Sequence, residues 1–207
     1  NHTVVVKQAF DLDNTGRYSY QALKLLASNK LIGSTSAFGP NGAGTFFEYD
    51  LVGDAFTVVK SFAEDSLGNT PKGVIMEGED ELFLFNTEDG QFEKGMLLSI
   101  DKGTYEFSIE APFGGTEYGF RPGKTWIYVN DVFYGVTRFG GTIEGWGGGT
   151  LFKFDPADNS MEKLYGFNSE VGRNPEGGIM MASNGNLYGT TNYDAENGDG
   201  SLFEFDL

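Results

Sequence analysis

Gly44-Thr-Phe-Phe-Glu-Tyr-Asp50 decides the fold, because the chain repeats it. The stretch returns as Gly149-Thr-Leu-Phe-Lys-Phe-Asp155 and as the one-residue-shorter Ser201-Leu-Phe-Glu-Phe-Asp206. A weaker copy is Gly95-Met-Leu-Leu-Ser-Ile-Asp101. The copies begin at 44, 95, 149 and 201, a period of 51 to 54 residues. Repeats of about 40 to 50 residues built from short strands have the length of one propeller blade.

On either side of this stretch, each unit has the same order of parts. The first strand ends at an Asp and a turn. A second strand comes next in Phe56–Phe62, Tyr105–Pro112, Met161–Phe167 and Thr3–Phe10. A polar loop then closes on Gly-x-x-Pro at Gly68–Pro71, Gly119–Pro122 and Gly172–Pro175, with Gly16-Arg-Tyr-Ser19 as the departure. Third strands read at Gly73–Glu77, Thr125–Val129, Gly178–Ala182 and Gln21–Ala27. Fourth strands are Leu187-Tyr-Gly-Thr-Thr191, Phe133-Tyr-Gly-Val-Thr137, Leu31-Ile-Gly-Ser-Thr35 and the divergent Leu82-Phe-Leu-Phe-Asn86. Asn184-Gly185 has the composition of a tight hairpin turn.

The expected fold is therefore all-β: a four-bladed β-propeller with four antiparallel strands per blade, forming one domain over 1–207. The blades are read as 44–94, 95–148, 149–200 and a fourth assembled from 201–207 plus 1–43. The chain begins at a second strand and stops after a first strand. The ring is thus expected to close by pairing the C-terminal strand with the N-terminal blade, which leaves no free inner edge. A solenoid would need capping units, and none is read here.

Composition narrows function. The chain carries 30 acidic against 14 basic side chains, a formal charge of −16. Such a surface repels phosphate backbones, which argues against nucleic acid and against docking onto anionic membranes. No apolar run approaches the roughly 20 residues of a membrane-spanning helix. Cysteine is absent, so disulfides and thiolate metal sites are excluded. The single histidine, His2, lies at the terminus, so Ser–His–Asp and Cys–His devices find no support. No signal peptide is visible, and a start at Asn1 points to a processed chain or a domain cut from a longer one.

The string Gly149-Thr-Leu-Phe-Lys-Phe-Asp155, then Asn174-Pro-Glu-Gly-Gly178, then Asn184-Gly-Asn-Leu-Tyr-Gly-Thr-Thr191 resembles the GloVer tandem repeat of bacterial secreted and surface-anchored proteins. The resemblance implies an exported, extracellular or cell-surface protein, with no assigned reaction. The sorting or anchoring tail common in that family is not present in these residues.

Three constellations are candidates for function. Asp50, Asp101, Asp155 and Asp206 end the first strands, which are expected to line the central channel. They could ring one mouth of it around calcium or another cation, or simply cap the turns after those strands. Asp11-Leu-Asp-Asn-Thr-Gly16 and Asp194-Ala-Glu-Asn-Gly-Asp-Gly200 place carboxylates at alternate positions, as a calcium loop does, or are acidic turns. Finally, loops expected on one face carry Trp146, Phe92, Tyr193, Arg121 and Arg173, near Arg17, Tyr18, Tyr118 and Phe120. Rings beside guanidinium groups suit a carbohydrate or protein ligand, offering stacking area and orienting polar groups; the bland reading packs the rings between blades. Trp126, inside a strand, is assigned to the core.

The sequence therefore points to a non-catalytic extracellular binding or surface module. The alternatives are a carbohydrate-active enzyme using paired carboxylates and a structural repeat of a cell-surface assembly.

Overall fold

The computed structural model describes residues 2–63, 67, 71, 73–86, 95–114, 117–123, 125–141, 147–195 and 197–207. Among these, every regular element is a strand, and the strands form four antiparallel sheets. The first sheet runs β1 (Lys24–Leu25), β2 (Lys30–Thr35), β3 (Thr45–Asp50), β4 (Ala55–Ser61). The second runs β5 (Met76–Glu77), β6 (Glu81–Asn86), β7 (Met96–Asp101), β8 (Phe107–Pro112). In the third, β9 (Phe120–Pro122) pairs with the end of β11 in the series β10 (Ile127–Val129), β11 (Val132–Phe139), β12 (Thr150–Asp155), β13 (Ser160–Gly166). The fourth has three strands, β14 (Ile179–Met181), β15 (Leu187–Thr190) and β16 (Leu202–Phe205).

The repeat is real, but the sheets are offset from it by half a unit, which corrects the blade boundaries at 44, 95 and 149. β2 pairs with β3 over six residue pairs, from Lys30↔Asp50 to Thr35↔Thr45. The Gly-rich loop at 36–44 therefore closes a hairpin inside a sheet and cannot separate two blades. The crossing between sheets falls instead in the loop that closes on Gly-x-x-Pro.

The offset also bears on three of the four Asp residues. β3, β7 and β12, which end at Asp50, Asp101 and Asp155, each have a hydrogen-bonded neighbour on both sides and are interior strands, whereas β16, before Asp206, is the last strand of its sheet. The edges that converge are the short ones. β10 approaches β14, and Glu77 in β5 takes Lys24 of β1 at 2.8 Å and Lys102 at 3.3 Å.

The expected pairing of the C-terminal strand with the N-terminal blade is not formed, and among the described residues no ring closes. β16 is bonded to β15 on one side. Thr3–Phe10 forms no strand; Val4, Val5 and Val6 stand 96%, 66% and 76% exposed. Phe10 lies instead against the first sheet, its ring 5.4 Å from Phe47 and 6.0 Å from Phe56.

Apolar packing between consecutive sheets holds the stack together. Phe46, Phe62 and Ile32 of the first sheet meet Leu82, Leu84 and Leu98 of the second. Met76, Phe83 and Leu97 of the second meet Trp126, Phe133 and Phe152 of the third, so Trp126 is a core residue as expected. Val136, Leu151 and Phe167 of the third meet Ile179, Leu187 and Phe203 of the fourth. Each fully buried Phe or Leu contributes about 1.5–3 kcal/mol through removal from water.

A cross-strand rule recurs inside the sheets. Gly33, Gly135 and Gly189 sit opposite Phe47, Phe152 and Phe203. A methyl on Gly33 or Gly189 would come within 2.4 or 2.5 Å of the opposing ring, and on Gly135 within 2.6 Å of the Trp126 indole. The glycine makes the floor on which the ring lies. The second sheet has Leu84 where glycine is expected, and its partner is correspondingly Leu98, not an aromatic residue. The divergent fourth strand at 82–86 is thus one compensated exchange.

Candidate functional site

At one end of the first, third and fourth sheets the same clasp is built. Thr35 and Thr45 share a hydrogen bond of 2.8 Å, and both hydroxyls lie within donating reach of the Thr15 carbonyl, at 3.2 and 2.9 Å. Thr137 and Thr150 repeat the pair at 2.8 Å, with Thr150 donating to the Tyr118 carbonyl at 2.8 Å. Thr191 and Ser201 repeat it at 3.0 Å, with Ser201 donating to the Val171 carbonyl. These hydroxyls lie at the hairpin's end, and burying them unpaired would be costly. The clasp gives them partners and pins the preceding loop against the sheet.

The residues just beyond the clasped carbonyl also keep a constant geometry. Gly16, Gly119 and Gly172 have φ of +76°, +74° and +105°, and a methyl on each would meet the Thr hydroxyl within 2.2 Å. The next residues, Arg17, Phe120 and Arg173, bridge to Ala37, Phe139 and Tyr193 on the Gly-rich loop. After them come Tyr18, Arg121 and Asn174, all in the left-handed region at φ of 64°, 54° and 60°. Asn is at ease there, whereas Tyr and Arg each lose about 1–2 kcal/mol to the contact of Cβ with the carbonyl. Strain held at a loop tip points to function at that tip.

The result is three corners rich in arginine and rings. In the first, the Arg17 guanidinium lies 4.2 Å from the Tyr18 centroid and 5.6 Å from Phe38, and Tyr18 stacks on Tyr20 at 5.9 Å. In the second, Arg138 and Arg121 lie 4.7 and 5.8 Å from Phe139, which stacks on Phe120 at 5.4 Å. In the third, Arg173 pairs with Asp194 beside Tyr193, which is 52% exposed. Glu176 joins the second and third corners, one oxygen on Arg138 and the other accepting from Asn192 at 3.0 Å.

Of the residues expected to bind ligand, Arg173 and Tyr193 are brought together by their bridge, with the Arg173 amide donating to the Tyr193 carbonyl at 2.8 Å. Arg121 stands at the neighbouring corner. Trp146 and Phe92 lie outside the described residues. Sequence reasoning missed Arg138, Glu176, Tyr20 and the paired hydroxyls. The recurring hydroxyl residue before and after three of the Gly-rich loops, Thr35 and Thr45, Thr137 and Thr150, Thr191 and Ser201, was the available signal.

The acidic candidates are committed locally. Asp50 accepts from the amides of Val52 and Gly53 at 2.8 and 3.0 Å. Asp101 accepts from Gly103 and Thr104 at 2.9 and 2.7 Å, and Asp155 from Ala157 at 2.9 Å. Asp206 lies just past β16, exposed. Asp11 accepts from the amides of Asp13 and Asn14 at 3.0 and 2.7 Å, and Asp194 faces Arg173. Among the described residues no three His, Asp or Glu side chains gather into a group that could hold a metal ion.

These turn bonds hold the Asp50 and Asp101 carboxyls below the usual range, Asp50 chiefly through the Gly53 amide and Asp101 chiefly through that of Thr104. A carboxyl depressed in the folded state stabilises at neutral pH and loses that contribution as pH falls through its folded value. Asp101→Ala is therefore expected to melt slightly lower than the parent at pH 7. The gap should close as pH falls through the folded value of Asp101, because protonation removes the charge that the turn amides stabilise. Thermal melts at several pH values read this directly; a gap independent of pH would assign the effect to turn geometry alone.

One carboxyl is shifted the other way. Burial first, and the charge of Glu110 second, push Glu81 above its ordinary range, and the Ser99 hydroxyl donates to Glu110.

The chain belongs to the Gloeobacter/Verrucomicrobia repeat family, whose model matches residues 18–207. No curated protein is significantly similar in sequence. Among solved structures, the extracellular domain of the putative one component system BT4673 from B. thetaiotaomicron superposes with a TM-score of 0.57 at 13% identity, covering 88% of this chain and 20% of that one. TolB from Acinetobacter baumannii gives 0.54 at 11% identity, over 86% of this chain and 38% of TolB. XC5397 from Xanthomonas campestris, a gluconolactonase, gives 0.52 at 11% identity, over 88% of this chain and 60% of that one. This chain therefore spans a fifth to three fifths of the structures it resembles. At these identities the likeness speaks for a propeller-like fold alone. Among the described residues no helix is long and apolar enough to cross a membrane.

Proposed function

We propose that this repeat chain is a non-catalytic, exported binding module whose ligand surface is the row of corners formed by Arg17, Tyr18, Arg121, Arg138, Arg173 and Tyr193. The observation that carries the reading is the three-fold recurrence of a buried hydroxyl clasp presenting a strained or charged residue at a loop tip. A packing role alone gives no reason to hold Tyr18 and Arg121 in the left-handed region. The chemistry of the row suits a neutral or acidic carbohydrate. Exposed rings give stacking area, and guanidinium groups already fixed by Asp194 and Glu176 are ordered before the ligand arrives. The family's resemblance to secreted and surface-anchored repeats supports export.

Glycan-array binding of the purified chain, with calcium and again with chelator, tests the reading. Specific binding that survives chelator is expected, because the acidic turns are engaged by their own amides. Tyr193→Ala and Arg173→Ala should each weaken a retained glycan roughly tenfold, the scale of a lost stacking or charge-assisted contact. A blank array under both conditions sinks the carbohydrate assignment. The second reading, a carboxylate-pair enzyme, rests on Glu81 and Glu110; it requires a turnover that Glu81→Gln abolishes.

A further inference from the structure

The chain has four arginines, and all of them, Arg17, Arg121, Arg138 and Arg173, stand at the corners. Lysines are placed differently. Lys24, Lys30 and Lys153 on strands, and Lys102 on the turn after β7, each face a carboxylate at 2.8 to 3.3 Å. The planar guanidinium, always charged and able to offer two parallel N–H groups to one acid, is thus reserved for the loop tips.

Two of these groups are answered inside the molecule, Arg138 by Glu176 and Arg173 by Asp194. The other two are not. None of the ion pairs among the described residues includes Arg17 or Arg121, although acidic side chains outnumber basic ones by 30 to 14. Both residues are exposed. Each guanidinium lies over aromatic rings, Arg17 over Tyr18 and Phe38, Arg121 over Phe139 at 5.8 Å. A ring beneath the face leaves the N–H fork on the edge available to a planar acceptor.

The backbone holds both side chains at fixed starting points. The Arg17 amide donates to the Ala37 carbonyl at 2.8 Å, and the Arg17 carbonyl accepts from the amides of Ser36 and Ala37 at 3.2 and 3.3 Å. Arg121 is set between Phe120 and Pro122, which pair with Phe139 and Thr137 on β11. Ordering such a side chain on a ligand takes less free energy than ordering one on a loose loop.

Given the carbohydrate-binding role proposed above, we infer that the ligand is a glycan bearing isolated carboxylated sugars, of the uronic acid type, on an otherwise neutral chain. Arg17 and Arg121 each take one sugar carboxylate in a bidentate pair, and the neighbouring rings take the apolar faces of the sugars. The sparse spacing follows from the corners that are already filled. Glu176 and Asp194 hold the other two guanidinium groups and would repel a carboxylate brought there. Asp11 and Asp13 stand on the turn that leads into Gly16 and Arg17. A polymer charged at every sugar would set acid against these groups and against a net charge of −16. A lone carboxylate on Arg17 or Arg121 meets a guanidinium at close range, with the more distant acids screened beyond about 8 Å in physiological salt.

The test is titration of the purified chain with polysaccharides that carry single uronate side groups, each beside its carboxyl-reduced form, in which the acid becomes a primary alcohol and the backbone is kept. Binding of the acidic form is expected, with affinity falling roughly tenfold or more on reduction, the scale of a charge-assisted contact. Arg17→Gln and Arg121→Gln should each lower affinity for the acidic form by a similar factor. Arg121→Lys, which keeps the charge and loses the fork, should fall nearly as far. These positions are exposed, so melting temperatures should match the parent's, which separates a lost contact from a lost fold. Equal affinity for the acidic and reduced forms would overturn the inference and leave the carbohydrate surface standing. No binding of either form would sink the carbohydrate reading as well. Heparin or polyphosphate bound as tightly as the uronate polymers would overturn the inference in favour of simple ion exchange.

Discussion

Gly149→Ala is expected to lower stability by about 3 kcal/mol, although it adds one methyl group. Two terms make up that figure. At φ +96° an L-residue loses about 1–2 kcal/mol to the contact of Cβ with its own backbone. The methyl would also lie 2.2 Å from the Thr137 carbonyl oxygen and 2.9 Å from Pro175, and overpacking against groups that cannot move away costs about 1–3 kcal/mol. The comparison that isolates the second term is Gly185→Ala, at φ +89° with nothing within 4 Å of the added methyl. It should lose only the first. For a chain of this size the two variants should melt roughly 2–8 °C apart. Melting temperatures that coincide would mean the corner yields to the methyl, and that the backbone approach at Gly149 is loose.

Phe152→Ala is expected to be costlier still, about 3–5 kcal/mol. The ring lies 4.4 Å from Trp126 and 5.4 Å from Phe113, so it is wedged between the second and third sheets. Its floor is Gly135, which has no side chain to move into the hole, so the cavity persists. Phe203→Ala, the same position in the fourth sheet, should lose less, because that ring is half-buried. The second sheet suggests the rescue. Changing Gly135 and Phe152 together to leucine imports the Leu84–Leu98 pair, and should be less destabilising than the sum of the two single changes. Additive losses in denaturant unfolding would show that the glycine and the ring are not coupled.

The period of the fold was legible because Gly-Thr-Phe-Phe-Glu-Tyr-Asp and its copies mark it without reference to any partner. Where one sheet ends and the next begins was not. Two loops per unit, the Gly-rich one and the one closing on Gly-x-x-Pro, both read as connections. Only the pairing of Lys30–Thr35 with Thr45–Asp50 decides that the first closes a hairpin. The same ambiguity put Asp50, Asp101 and Asp155 at a channel, when they cap the turns of interior strands. At the corners, Arg173 and Tyr193 were legible as chemistry, an arginine and a ring on polar loops. Arg138 and Glu176 meet only across two sheets, so no local pattern announces them. The hydroxyl clasps were visible as repeated threonines, yet a Thr in a strand reads as a β-former until its partner is seen.

Because each apolar cluster joins one sheet only to the next, cooperativity in this molecule is transmitted by nearest neighbours, link by link. Amide hydrogen exchange should then be slowest in the second and third sheets, which are covered on both faces, and should quicken toward β16, covered on one. The Thr–Thr clasp is missing from the second sheet, where Asn86 is paired with Met96. Chains of this kind fray from the ends, and the length of the array, more than any single contact, sets how long the middle stays closed.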